Sequence, residues 1–149
     1  MMTVEEVKLT EVVLEQLLSL SEHWEKENSC HGYQKNSLSD IEGNRIFLAV
    51  EDNMVIGYLF GHKEVTEKTT SVYQIGTKYF EIEELYVKPD FRGCGIGKRL
   101  FRYVEREVAD EVDMIMLGTA TKNFRAILHF YIDELGMEFW SARLFKKIR

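Results

Sequence analysis

Arg92, Gly93, Cys94, Gly95, Ile96, Gly97 and Lys98 have the types and spacing to hold an anion. Glycines at 93, 95 and 97 lack Cβ atoms, so consecutive backbone N–H groups can converge on one point. Ile96, Leu100, Val104 and Val108 recur at one side of a helix that opens inside this stretch. Its first turn adds unpaired N–H donors and a partial positive charge, and Arg92 and Lys98 add full charges. A phosphate or pyrophosphate suits such a loop. A Walker-type phosphate loop needs glycine where Arg92 stands and Ser or Thr where Arg99 follows Lys98. A dinucleotide GxGxxG fails because neither Lys98 nor Leu100 is glycine. A glycine-rich turn without a ligand is the plain alternative.

The elements that would position this loop follow from periodicity. Residues 3–9 read as a first strand. Thr10 can cap a helix on which Val13, Leu17, Leu20 and Trp24 recur. Residues 30–44 have no period beyond a short helix at 38–42. Two apolar runs, 45–51 and 55–62, joined by Asp52, Asn53 and Met54, read as a β-hairpin. Residues 64–78 are polar and are expected to be a mobile connection. Along 79–88, Phe80 and Ile82 alternate, and so do Leu85 and Val87, but the pairs are out of phase by one residue. A β-bulge near Glu83 and Glu84 absorbs the extra residue; a strand that changes its buried face is the alternative. Residues 112–117 predict a strand buried on both faces, Asn123 the cap of a helix closed by Gly136, and residues 139–148 a final strand with a basic end. The order of elements is that of a mixed α/β sheet.

Composition bounds what the loop serves. The 149 residues fit one domain, 1–149, with 45% hydrophobic and 30% charged residues. A net charge of −6 argues against nucleic acid as a partner and is compatible with a cationic substrate. Cys30 and Cys94, without a CxxC pairing, fit a reducing compartment. The first residues are too acidic for a signal peptide and no stretch is apolar enough to span a membrane, so a cytoplasmic protein is expected. His23, His31, His62 and His129 form no cluster at metal-ligand spacing, and no metal is expected.

The run from Glu84 to Leu100 resembles the acetyl-CoA signature of the GNAT superfamily of N-acetyltransferases, with Arg92, Gly95 and Gly97 at the defining positions. The segment from Asn123 through Ala126, Phe130 and Tyr131 to Gly136 and Met137 is similar to the family's second segment, in which Asn-x-x-Ala leads to a Tyr and then Gly-Phe. The resemblance covers nearly the whole chain. It implies the GNAT α/β fold: a mixed, mostly antiparallel sheet of six to seven strands flanked by about four helices, bulged and splayed at the acetyl-CoA strand. It implies transfer of acetyl from acetyl-CoA to a primary amine of a small molecule or a peptide. A CoA-binding sensor without turnover is the alternative. Dimers are frequent in the family, so a homodimer is compatible.

The resemblance further implies that residues 92–98 and Asn123 hold the cosubstrate, the backbone of Leu85, Tyr86 and Val87 pairing with its pantetheine arm. Cys94 contributes its backbone there rather than a nucleophile, since the family transfers acetyl directly. Direct transfer needs a base for the amine, a donor for the developing oxyanion and an acid for the leaving thiolate. Glu81 and Glu83, on one strand face, are the base candidates, with a solvated face as the alternative for each. A backbone N–H near Val87 is the oxyanion donor. Tyr131 is the acid candidate, although it lies one residue off the family's register, where Phe130 stands, and core packing would equally explain it. Trp24, His31 and Tyr33, with Glu25 and Glu27 nearby, are the candidate acceptor contacts and would suit a cationic amine.

Overall fold

The computed structural model describes residues 1–149. Its centre is one five-stranded sheet in the order β1 (Thr3–Val7), β2 (Arg45–Glu51), β3 (Met54–Val65), β4 (Lys78–Val87) and β5 (Met114–Leu117). Neighbouring strands are antiparallel except β4 and β5, which are parallel. Helices α1 (Glu11–Glu27) and α2 (Leu38–Ile41) cover one face, where Leu17, Leu20 and Ile41 pack on Leu48, Tyr58, Phe60 and Tyr86. Helix α3 (Ile96–Val108) covers the other, its Leu100, Phe101 and Val104 packing on Phe47, Leu59, Phe80 and Ile82. Helix α4 (Phe124–Leu128) runs on into a π-helical turn, His129–Glu134.

Local sequence explains the element ends. The Thr10 hydroxyl accepts from the Val13 N–H at 3.2 Å and caps α1, and Asn28, left-handed at φ 52°, ends it. Asp52 and Asn53, at φ 50° and 62°, make the tight turn between β2 and β3.

The phase slip in β4 is a β-bulge. Phe60 pairs with Glu84 and Gly61 with Ile82, so Glu83 has no partner on β3. Phe80 and Ile82 before it, and Leu85 and Val87 after it, all face α3. Gly61 is the residue that permits this geometry: a Cβ there would meet the Glu81 carbonyl oxygen at 2.2 Å and the Phe80 ring at 2.8 Å. The pairing of β4 with β5 stops at Ile82 and Leu117, and beyond that point the two strands part.

Four expectations are corrected. The sheet has five strands rather than six or seven, because residues 139–148 join no sheet. Strand β5 is four residues long and half-buried throughout rather than buried on both faces, and no strand pairs with its outer edge. The connection after β3 is tied down by its own polar groups: the buried Thr66 hydroxyl donates to the Gln74 carbonyl at 2.6 Å and accepts from the Thr77 N–H at 2.9 Å. Asn123 starts α4, but its side chain makes no capping bond.

Candidate functional site

The loop before α3 presents an uninterrupted row of free donors. None of the N–H groups from Gly93 to Lys98 donates to a protein acceptor; the Arg92 N–H closes back on Pro89 and the first α-helical bond is Arg99 N–H to Gly95. Gly93 and Gly95 sit at φ 79° and 82°, where a side chain is strained, and these left-handed residues turn successive N–H groups to one side. Gly97 leaves room for the Phe130 ring, whose tip would stand 3.3 Å from an added Cβ. A groove of about 610 Å³ opens at Gly95 and carries Lys98, Arg99, Arg102 and Arg106. Donors and cations together fit a pyrophosphate. The Arg92 side chain is engaged within the protein instead. Its Nε donates to the Val87 carbonyl at 2.8 Å, it pairs with Glu27 at 2.8 Å, and it lies over the Tyr86 ring. Arg92 thus ties the loop to the end of α1. Cys94 is exposed, with its thiol 3.8 Å from the Arg92 carbonyl.

The splay exposes strand backbone. Because the Lys88 N–H donates to the Ile56 carbonyl at 2.8 Å, the alternation of an antiparallel ladder turns Tyr86 and Glu84 toward β3. The N–H and C=O groups of Leu85 and Val87 therefore point the other way, into the gap that β5 leaves. Of these the Val87 carbonyl is taken by Arg92, and the Val87 N–H is unspent. An extended molecule with its own amide groups can pair here as a strand would.

Glu81 and Glu83 share the face of β4 opposite Phe80 and Ile82. Glu83 is exposed and 2.8 Å from His62 Nε2. Glu81 is half-buried beside the last rungs of the β4–β5 pairing, and its Oε2 is buried with no hydrogen-bond partner. Burial first, and the neighbouring Glu83 second, push its pKa up to about 7, against a smaller opposing effect of His62. A carboxylate at that pKa exchanges protons at neutral pH. Beside Glu83 and His62, an open depression of about 450 Å³ is lined by Asp40, Glu42 and Glu64 and has no apolar residue.

Tyr131 is half-buried against Phe101 and Phe130, and its hydroxyl bonds no protein group. Burial raises its pKa to about 12, so it stays protonated across the working range. The π-helical turn explains the register: the Leu135 N–H reaches back to the Phe130 carbonyl, which inserts one residue into the helix. Phe130 occupies the position over Gly97 and Val87, and Tyr131 stands one step further round.

The acceptor candidates fall into two groups. Trp24 stacks between Tyr33, at 4.3 Å, and Tyr86, at 5.1 Å, and is half-buried behind β4. His31 is exposed, edge-on to Phe145 at 5.7 Å. Glu25 accepts from the Lys35 N–H, and Glu27 accepts from the Tyr86 hydroxyl as well as from Arg92.

Glu84 is the residue that sequence reasoning missed. It lies just after the bulge, and its Oε1 accepts from the Tyr58 hydroxyl at 2.7 Å, Asn36 Nδ2 at 2.9 Å and the Tyr33 hydroxyl at 3.2 Å. Burial raises its pKa, and these donors oppose the rise. Its partners are far away in sequence, and only the phase slip at 83–84 marked the spot. No three His, Cys, Asp or Glu side chains are grouped to hold a metal ion, and no helix is long and apolar enough to cross a membrane.

The acetyltransferase (GNAT) family model matches residues 12–137. No curated protein matches the sequence significantly. Among solved structures, AAC(6')-Iy in complex with the bisubstrate analogue CoA-S-monomethyl-acetylneamine superposes with a TM-score of 0.68 at 20% identity, over 100% of this chain and 99% of that one. An aminoglycoside acetyltransferase, meta-AAC0020, from an uncultured soil metagenomic sample in complex with sisomicin gives 0.68 at 17% identity, over 99% and 97%. A predicted acetyltransferase with acetyl-CoA from Clostridium acetobutylicum gives 0.68 at 16% identity, over 99% and 97%. At these identities the likeness is one of fold.

Proposed function

Because this chain belongs to the acetyltransferase (GNAT) family, we propose that it transfers the acetyl group of acetyl-CoA to a primary amine of a small cationic molecule, aminoglycoside- or polyamine-like, or of a peptide, by direct attack in a ternary complex. The observation that carries the reading is Glu81: a carboxylate with one buried, unpartnered oxygen, a pKa of about 7, and a position where the sheet opens.

Bound acetyl-CoA supplies the acetyl group as a thioester. The N–H groups from Gly93 to Lys98 hold its pyrophosphate, and the unspent N–H and C=O of Leu85 orient its pantetheine arm. Asn123 borders the arm from α4. Glu81 takes the proton from the attacking ammonium, and its proton affinity suits that transfer near neutral pH. Glu83, engaged by His62, raises the proton affinity of Glu81 by its charge. The Val87 N–H donates to the developing oxyanion. Tyr131, protonated and with an unspent hydroxyl, delivers a proton to the departing thiolate.

The acidic depression beside Glu83 supports a cationic acceptor, through Asp40, Glu42 and Glu64. His31 contacts the acceptor from the α1–α2 loop, and Trp24 and Tyr33 hold that loop in place as well as lining it. Two of the structural neighbours, at 17% and 20% identity, carry sisomicin and an acetylneamine-derived analogue, which favours the small-molecule branch. The test is release of free thiol from acetyl-CoA over a panel of aminoglycosides, polyamines and peptide amines. Turnover on any amine supports transfer; tight acetyl-CoA binding without release on the whole panel would return the sensor reading.

A further inference from the structure

We propose that Glu84 is a positioning residue of the acceptor site. Its carboxylate clamps Tyr33 and Asn36, on the loop between α1 and α2, to the strand that carries Glu81, and so fixes the acceptor loop relative to the base; the role in acceptance rests on the reading of amine transfer given above. The bulge makes the clamp possible. In a regular strand Glu83 and Glu84 would point to opposite faces. Here Phe80, Ile82, Leu85 and Val87 all face α3, so Glu81, Glu83 and Glu84 share the other face, beneath α1 and its loop.

The loop needs an outside anchor. At its start it is tied by backbone: the His31 N–H donates to the Ala120 carbonyl and the Lys122 N–H to the Ser29 carbonyl, both at 2.8 Å. Residues 34–36 have no backbone-to-backbone bond, and side chains hold them instead. The Lys35 N–H donates to Glu25 at 2.8 Å and the Asn36 N–H to the buried Ser21 hydroxyl oxygen at 2.7 Å. The Ser21 and Tyr33 hydroxyls are 2.7 Å apart, and the chain ends on Glu84 Oε1, which takes Tyr33 at 3.2 Å and Asn36 Nδ2 at 2.9 Å. An ionised carboxylate only accepts, so it orders the hydroxyls in one direction, Ser21 to Tyr33 to Glu84. The third donor, Tyr58 on β3, holds the carboxylate itself at 2.7 Å.

The choice of residue argues for more than packing. All the partners of Oε1 are neutral, two phenols and an amide, with no cation among them. A carboxylate buried without a cation is costly, and an apolar side chain would serve a fold that needed only contact here. Burial outweighs the donors and raises the pKa of Glu84. What the carboxylate supplies that an apolar group cannot is a single point on which two loop side chains converge. His31 stands two residues before Tyr33, between the backbone tie and the clamp, so the clamp also sets where His31 is held.

The test compares the parent with Glu84→Met, Asn36→Ala and the double variant. Glu84→Met keeps the length of the side chain and removes the acceptor; Asn36→Ala cuts the same link from the half-buried loop side, and so still tests the clamp should Glu84→Met fail to fold. Hydrogen exchange at 33–37, measured without substrate, should be at least tenfold faster in each variant, with exchange in the middle of α1 and of β3 unchanged. In steady-state acetyl transfer the KM for the amine should rise by tenfold or more while the KM for acetyl-CoA stays within twofold. The double variant should be no worse than the more affected single one, because both cut one link. Unchanged exchange at 33–37, equal changes in the two KM values, or additive effects in the double variant overturn the clamp. A parent that turns over no amine overturns the reaction instead, and the exchange result then decides the clamp alone.

Discussion

Glu81 and Glu83 sit two residues apart on one face of β4, and only one has a partner: His62 Nε2 stands 2.8 Å from Glu83, while Glu81 Oε2 is buried with none. The bulge explains the difference. Glu83 is the residue left out of the β3 pairing and reaches solvent and His62, whereas Glu81 is locked between β3 and β5. Strand position thus divides two chemically identical side chains into a solvated, paired carboxylate and a half-buried one with an unpartnered oxygen.

The pH dependence follows from that division. With Glu81 as base, kcat/KM should rise with pH to a plateau, half-complete near 7. Glu81→Gln should lower kcat/KM by about 10²–10⁴-fold and abolish that limb. The sign for stability is opposite. A folded-state pKa above the unfolded value means that the native state holds the extra proton, so this stabilising contribution is complete below about pH 4.5 and is lost as pH rises through about 7. Urea denaturation at pH 5 and pH 8 should show the parent losing more stability than Glu81→Gln between the two.

Tyr131→Phe deletes a hydroxyl that bonds no protein group and keeps the ring against Phe101 and Phe130. Its thermal midpoint should stay within about 1–2 °C of the parent, the effect of a few tenths of a kcal/mol. Turnover at saturating acetyl-CoA should fall by tenfold or more. An unchanged rate would remove Tyr131 from the reaction.

Gly97→Ala brings a Cβ to 3.3 Å from the Phe130 ring in the first turn of α3, beside the loop proposed to hold acetyl-CoA. The KM for acetyl-CoA should rise by about tenfold, the equivalent of about 1.4 kcal/mol of lost binding, with the amine KM unchanged. Gly61→Ala acts elsewhere. Its Cβ has no room against the Glu81 carbonyl, and the overpacking should cost about 1–3 kcal/mol or more in denaturant unfolding.

Tyr58→Phe removes the shortest of the donors on Glu84. A buried carboxylate short of one donor should cost about 1–3 kcal/mol. Because the loss bears on the ionised form, it should be larger at pH 8 than at pH 5.

Local signals in the sequence foretold what local chemistry decides. Thr10 capped α1 as its hydroxyl predicts, Asp52 and Asn53 made the hairpin turn, and the one-residue slip between Ile82 and Leu85 became the bulge. The donor row from Gly93 to Lys98 was legible because glycine spacing alone determines it. Contacts between distant segments were not legible. Nothing near Glu84 announces Tyr58, Asn36 and Tyr33, and nothing near Arg92 announces Glu27. The π-helical turn escaped because one inserted residue leaves helical periodicity almost intact, though the off-register Tyr131 was its trace. Residues 139–148 alternate as a strand should yet join no sheet, because alternation alone does not supply an edge to pair with.

The most direct measurement is thiol release from acetyl-CoA by the parent and by Glu81→Gln, with the most active amine of the panel, across about pH 5.5 to 9. With Glu81 as the base, release in the parent should depend on the amine and rise through pH 7, and the variant should be slower by about 10²-fold or more with no inflection near 7. Equal rates and equal profiles in the two proteins would contradict that role.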